Sequence, residues 1–228
     1  MPVVRPASTS RRSQPMIDTL WGLALALAIF CLAHLAPSGV PGLRAALREK
    51  LGLMGYRAIF SVVALGGLAW VILGHMHAPY VELWSAPGWA RLIPLAAMPL
   101  VMIMFACAQK SKGMRAITRH PMLWAVLLWA GAHIPVNGDA ASVMMFGAFA
   151  LYALIDMPLA DRRIAREEPE RWATLSAETS ALPFVALMGG RATFRLKELG
   201  LGRVAGALVL FIVILFAHEH VIGLSPLP

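Results

Sequence analysis

Between Thr118 and Asp139 the chain reads T-R-H-P-M-L-W-A-V-L-L-W-A-G-A-H-I-P-V-N-G-D, an apolar run with His120 near one end and His133 near the other. Histidine is costly in lipid and is kept there for a reason, so the chemistry should be sought here first. A third histidine, His34, lies in another apolar stretch, followed by Pro37 and Ser38. A neutral imidazole inside a helical bundle is a good ligand for haem iron, and membrane haems can be held by histidines from two helices. His34, His120 and His133 are therefore the candidate metal ligands. His120 and His133 are separated by about 20 Å if the run is one helix at 1.5 Å per residue.

The other four histidines, His75, His77, His218 and His220, fall near expected span ends, where the ring can sit at headgroup level. His218 and His220 flank Glu219, but side chains two apart on a helix point to different faces, which weakens a metal site there. Cys31 and Cys107 lie in apolar runs with neither disulfide nor metal-thiolate spacing and read as packing residues. Asn137, Gly138 and Asp139 read as a tight turn.

The elements that must position these residues are membrane helices. The chain is 59% hydrophobic and 14% charged, with mean hydropathy +0.69, which describes an integral membrane protein of the all-α class. Six segments are apolar enough to cross a bilayer, near 19–36, 57–78, 90–108, 121–136, 140–158 and 204–221, giving a polytopic bundle of about six transmembrane helices. The fourth is short, and Pro94 and Pro99 in the third predict a kink. With six spans, sixteen of the twenty Lys and Arg residues fall on one side, which places the three larger loops in the cytoplasm and both termini outside.

The formal charge of +8 then belongs to the face that meets anionic headgroups, and no aromatic interleaving suggests nucleic-acid binding. Residues 1–16 lack periodicity and read as a disordered basic tail, with one membrane domain over 17–228 and no internal repeat. Leu43, Leu47 and Leu51, with Arg44, Arg48 and Lys50 between them, suit an amphipathic helix on the inner leaflet over 41–53.

Several motifs together resemble the NnrU family: H-L-A-P-S at 34–38, L-G-x-x-x-Y-R-x-x-F-S at 51–61, A-P-Y-V-x-L-W at 78–84, I-T-R-H-P-M-L-W-A at 117–125, L-W-A-x-A-H at 128–133, N-G-D at 137–139, D-R-R at 161–163, T-S-x-L-P-F at 179–184 and G-R at 190–191. The resemblance runs from about residue 18 to the C-terminal S-P-L-P. It implies a bacterial inner-membrane protein linked to nitrite and nitric oxide metabolism, or a haem-dependent isomerase-like protein of the 15-cis-zeta-carotene isomerase type. It also implies haem b, with His34 and His133 on the iron and His120 a further essential candidate; Arg119, by its place at the start of a helix at the inner face, can hold an anionic group such as a haem propionate. Respiratory nitrogen-oxide enzymes are the implied partners. The loop before I-T-R-H-P is shorter than the family's and lacks its usual P-N-P. The six-span topology also places His34 near the inner face and His133 near the outer one, whereas two axial nitrogens stand only about 4 Å apart.

Two other readings compete. R-H-P followed by Glu167, Glu168, Trp172 and Pro183 is similar to membrane methyltransferases of the isoprenylcysteine carboxyl methyltransferase type, in which Arg119, His120 and Glu168 would hold S-adenosylmethionine. The plainer reading of Glu167 and Glu168 is a solvated helix face paired with Arg163, Arg166 and Arg171. The last reading, a non-enzymatic partner of nitrogen-oxide enzymes, requires no catalytic residue.

Overall fold

The structure, a computed structural model, describes residues 19–109 and 111–227, so the tail expected over 1–16 lies outside the described residues. It begins with α1, Leu20–Gly39, whose N-cap Thr19 accepts a hydrogen bond from the Gly22 amide at 3.0 Å. The second helix, α2, runs Leu43–His77 but is broken at Gly52, whose φ of 69° and ψ of 168° are not helical. The break, which the leucine spacing over 41–53 does not predict, separates the piece over 43–51 from the span itself. A short 3-10 turn over Gly88–Arg91 leads into α3, Leu92–Cys107. Pro94 falls in the first turn of α3, where an amide has no helical acceptor, and Pro99 lies inside.

The remaining elements are α4 (Lys112–Ile117), α5 (Pro121–His133, extended by a 3-10 turn over Ile134–Val136), α6 (Ala140–Glu167), α7 (Pro169–Glu178), α8 (Val185–Met188) and α9 (Leu201–Ile222). Ser111 caps α4 through the Met114 amide, Pro121 opens α5 at a position with no amide to satisfy, and Asp139 caps α6 through the Ser142 amide at 2.9 Å. Among the described residues there is no β-strand, and a lone antiparallel bridge joins Glu82 to Asp139.

Five helices, α1, α2, α3 with its preceding turn, α6 and α9, are long and apolar enough to cross a bilayer. The fourth expected span is the exception: Pro121–Val136 is apolar but falls short of the roughly 20 residues required. The helices pack in the order α2, α1, α6, α5, α3, α9, each against the next. Between helices in lipid the attraction comes from close packing, which small residues permit. Gly74 of α2 brings its helix so near α1 that an added Cβ would lie 3.4 Å from the Cα of Leu23. Side chains such as Leu65 and Val209, 67% and 61% exposed, face outward where lipid would cover them.

The basic loops gather at one end of the bundle. Arg44 of α2 lies 3.6 Å from Glu167 of α6, and Ser111 donates to the Glu198 carbonyl at 2.8 Å. At the opposite end the segment before α3 meets the N-G-D turn, with the Leu83 and Trp84 amides bonded to the Gly138 carbonyl at 2.7 and 3.1 Å. N-G-D is therefore more than a local turn. A Cβ on Gly138 would stand 1.7 Å from the Trp84 carbonyl oxygen, so this close approach admits glycine alone.

Candidate functional site

The first of two side-chain clusters is an aromatic layer where α1, α5 and α6 meet. Phe30 of α1, Trp129 of α5, and Phe146 and Phe149 of α6 pack with ring centroids 5.1 to 5.4 Å apart, mostly edge to face. The spacing of Phe146, Phe149 and Tyr152 keeps all three on one side of α6. His34 borders this layer at one edge, 4.1 Å from Phe30, 5.3 Å from Phe60 and 5.8 Å from Tyr152. His133 borders it at the other, stacked 5.0 Å from Phe146 and 5.8 Å from Trp129.

Each ring is fixed in the same way. Nδ1 of His34 lies 2.8 Å from the Phe30 carbonyl and Nδ1 of His133 lies 2.7 Å from the Trp129 carbonyl, one helical turn back. A carbonyl can only accept, so the proton sits on Nδ1 and Nε2 keeps its lone pair. This is the tautomer and second hydrogen bond expected of a histidine that ligates a metal. His77 makes the same bond to Leu73, so the bond is not by itself a signature. The donor chemistry at His34 and His133 fits haem iron. The spacing differs from a closed pair: their neighbours Tyr152 and Phe146 are about 9 Å apart along α6, with Phe30, Phe149 and Trp129 between. An iron shared by both rings requires this layer to open.

The second cluster is built on R-H-P. Thr118 is fully buried; its hydroxyl donates to the Ala181 carbonyl at 2.9 Å and accepts from the His120 amide at 3.3 Å. Arg119 donates its amide to the Ser180 carbonyl at 2.9 Å, Trp124 Nε1 donates to Ala181 at 2.8 Å, and the Phe184 amide donates to Ile117 at 2.8 Å. Phe184, at φ 67°, occupies the left-handed region that a side chain rarely adopts. The T-S-x-L-P-F segment is thus tied, bond by bond, to the start of α5. Arg191 holds it from beyond, donating to the carbonyls of Ser176, Ala177 and Thr179 at the end of α7.

So held, Arg119 stacks its guanidinium 4.9 Å over the Trp172 ring and comes within 3.7 Å of Asp161. His120 Nε2 approaches Asp161 Oδ1 to 2.9 Å but is not aligned for a hydrogen bond. Beside them a cleft of ≈ 330 Å³ is lined by Arg115, Arg119, Arg163 and Arg171 and by apolar residues of α5 and α6. Glu168, the acid a methyl-transfer site would use, is bonded to Arg171 at 2.7 Å, and this guanidinium holds its carboxyl below the usual carboxylate range. Glu167 lies 3.6 Å from both Arg163 and Arg44.

Of the sequence candidates, the structure brings His34 and His133 to one aromatic layer, and Arg119 and His120 to the basic cleft. Sequence reasoning missed the residues between. Asp156 of α6 is 9% exposed, 3.5 Å from the Tyr152 hydroxyl and close to Ser38, so it lies between His34 and His120. Its signal was a lone carboxylate in the apolar run L-I-D-M-P, where an ionisable residue marks function by default. Asp161 gave no such signal, because its partners are 41 and 42 residues earlier. Among the described residues, no group of three or more His, Cys, Asp or Glu could hold a free metal ion.

A multi-pass membrane bundle with histidines set in an aromatic layer and a basic cleft at one end is the class of protein these features define. The chain belongs to the NnrU protein family, whose model matches residues 22–226. It is similar to the chloroplastic 15-cis-zeta-carotene isomerases of Zea mays, at 25% identity over 72% of this chain and 49% of that protein, and of Arabidopsis thaliana, at 24% over 74% and 51%. The chain spans about half the length of these curated relatives. No solved structure matches it.

Proposed function

We propose that this chain is a haem b protein of a bacterial inner membrane with isomerase-like activity on an apolar, conjugated molecule dissolved in the bilayer. The observation that supports this most is the pair of histidines at the edges of one aromatic layer, each with Nδ1–H bound to a carbonyl and Nε2 without a hydrogen-bond partner among the described residues. The similarity to carotene isomerases supports the substrate class. His34 and His133 would hold the iron, with His120 next in rank. A bound haem would supply a redox-active iron inside an apolar layer.

The chain's own contribution is to exclude water and to orient both imidazoles. Phe30, Phe146, Phe149 and Trp129 pack edge to face, and on opening of the layer they would offer flat apolar surface against which a polyene or a macrocycle can stack. Purified protein carrying His34→Ala or His133→Ala should lose most of its haem, read from the Soret absorbance per chain, while His120→Ala keeps it. Full retention in both of the first two variants rejects the pair. Loss in His120→Ala alone transfers the iron to the R-H-P histidine.

A further inference from the structure

The cleft beside R-H-P is over-supplied with cations. Arg115, Arg119, Arg163 and Arg171 line it, while Asp161, Glu167 and Glu168 pair with Arg119, Arg163 and Arg171, and the buried Asp156 lies near Arg163 and His120. With Arg44, which shares Glu167, five guanidiniums face four carboxylates, and one positive charge is left over. The surplus is not idle on the surface. Arg119 Nε and Nη1 and Arg163 Nε are buried and hydrogen-bonded to nothing among the described residues. His120, 8% exposed, likewise leaves Nε2 without an aligned partner.

Buried donors without acceptors are costly, and guanidinium cannot shed its proton, so these atoms call for an anion. The first turn of α5 adds the free amides of Met122 and Leu123, which line the cleft with Pro121. Apart from Gln109, the rest of the lining, with Ala108, Ala160, Ile164 and Leu175, is apolar.

We propose that this cleft binds the phosphate group of an amphiphile, the phosphate on Arg119 and Arg163 and the apolar chain along Met122 and Leu123. A charge of one matches a phosphodiester or a singly ionised phosphate monoester. Guanidinium forks suit phosphate oxygens, and Met122, 41% exposed, opens the apolar wall toward the lipid side. The N-terminal end of α5 lies at the basic end of the bundle, the face expected to meet headgroups. The proposal does not rest on the haem reading: it concerns different side chains at the basic end.

The test is native mass spectrometry of the full chain in detergent with dioleoyl phosphatidic acid, with dioleoyl phosphatidylcholine, and with phosphatidic acid plus millimolar inorganic phosphate. Wild-type protein should retain phosphatidic acid over phosphatidylcholine, whose headgroup charge is cancelled. Arg119→Gln and Arg163→Gln should each lower retention about tenfold, as expected for losing a charge-assisted hydrogen bond. Arg203→Gln, outside the cleft, should not. If a buried variant fails to fold, the exposed Arg115→Gln and Arg171→Gln together carry the same expectation.

Displacement by inorganic phosphate keeps the phosphate site but overturns the amphiphile, assigning the site to soluble esters. No displacement supports the proposal and assigns the site to lipid. Equal retention in the cleft variants and wild type overturns the proposal, as does equal retention of the two lipids. Haem content of the same samples separates the two readings. Haem loss in step with lipid loss would give the cleft to haem carboxylates and also overturn it, whereas colourless protein with selective lipid binding sinks the haem reading alone.

Discussion

Gly138 shows how one atom can constrain two segments fifty residues apart. An added Cβ would stand 1.7 Å from the Trp84 carbonyl oxygen, which is itself part of the backbone and cannot swing aside. Gly138→Ala should therefore cost on the order of 3 kcal/mol, seen as a lower midpoint in thermal unfolding by circular dichroism. Gly66→Ala is the control: nothing lies within 4 Å of its Cβ, and it should be neutral or slightly stabilising. Equal midpoints for the two would contradict the close approach.

At the basic end Asp161 faces both Arg119, at 3.7 Å, and His120, at 2.9 Å, so Asp161→Asn leaves the guanidinium without its nearest carboxylate. It should destabilise by roughly 1–3 kcal/mol in the same assay, and an unchanged midpoint would remove Asp161 from that role. At this scale His34, His120 and His133 were legible, since histidine in an apolar run stands out. Asp161 was not, because its meaning comes from partners on another helix, and Gly138 read as an ordinary turn residue because its constraint is the distant Trp84 backbone.

The elements depend on a few side-chain-to-backbone bonds. Thr118 joins α5 to the 179–184 segment through its single hydroxyl, donating to Ala181 and accepting from His120. Thr118→Val keeps the shape and removes both bonds, at about 1–3 kcal/mol. Hydrogen exchange at residues 179–186 should quicken in Thr118→Val and remain protected in Thr118→Ser; equal protection in all three would show that packing alone holds the segment. Apolar length revealed five of the spans and leucine spacing revealed the amphipathic piece of α2. The break at Gly52 and the docking of 179–184 were hidden, the first because glycine also occurs within helices, the second because no local pattern encodes a contact sixty residues away. The short fourth segment was visible as short, and its place between α3 and α6 explains how it is held without full length.

For the whole molecule, the distribution of charge defines an orientation. Arg44, Arg119, Arg163, Arg171 and Arg191 all act at one end of the bundle, in contacts with one another's loops. That end should be cytoplasmic. In a chain with Cys31 and Cys107 replaced, a cysteine at Glu170 should resist an impermeant thiol reagent in intact cells and react after lysis. Reaction in intact cells would invert the molecule.

The absorption spectrum of the wild-type chain, purified in detergent after growth with haem precursor, bears most directly on the account. Wild-type protein should show a Soret band and, after treatment with alkaline pyridine, the spectrum of haem b at about one haem per chain, released without covalent attachment because the sequence has no C-x-x-C-H. A folded, monodisperse and colourless protein that gains no Soret band on addition of haem would contradict it.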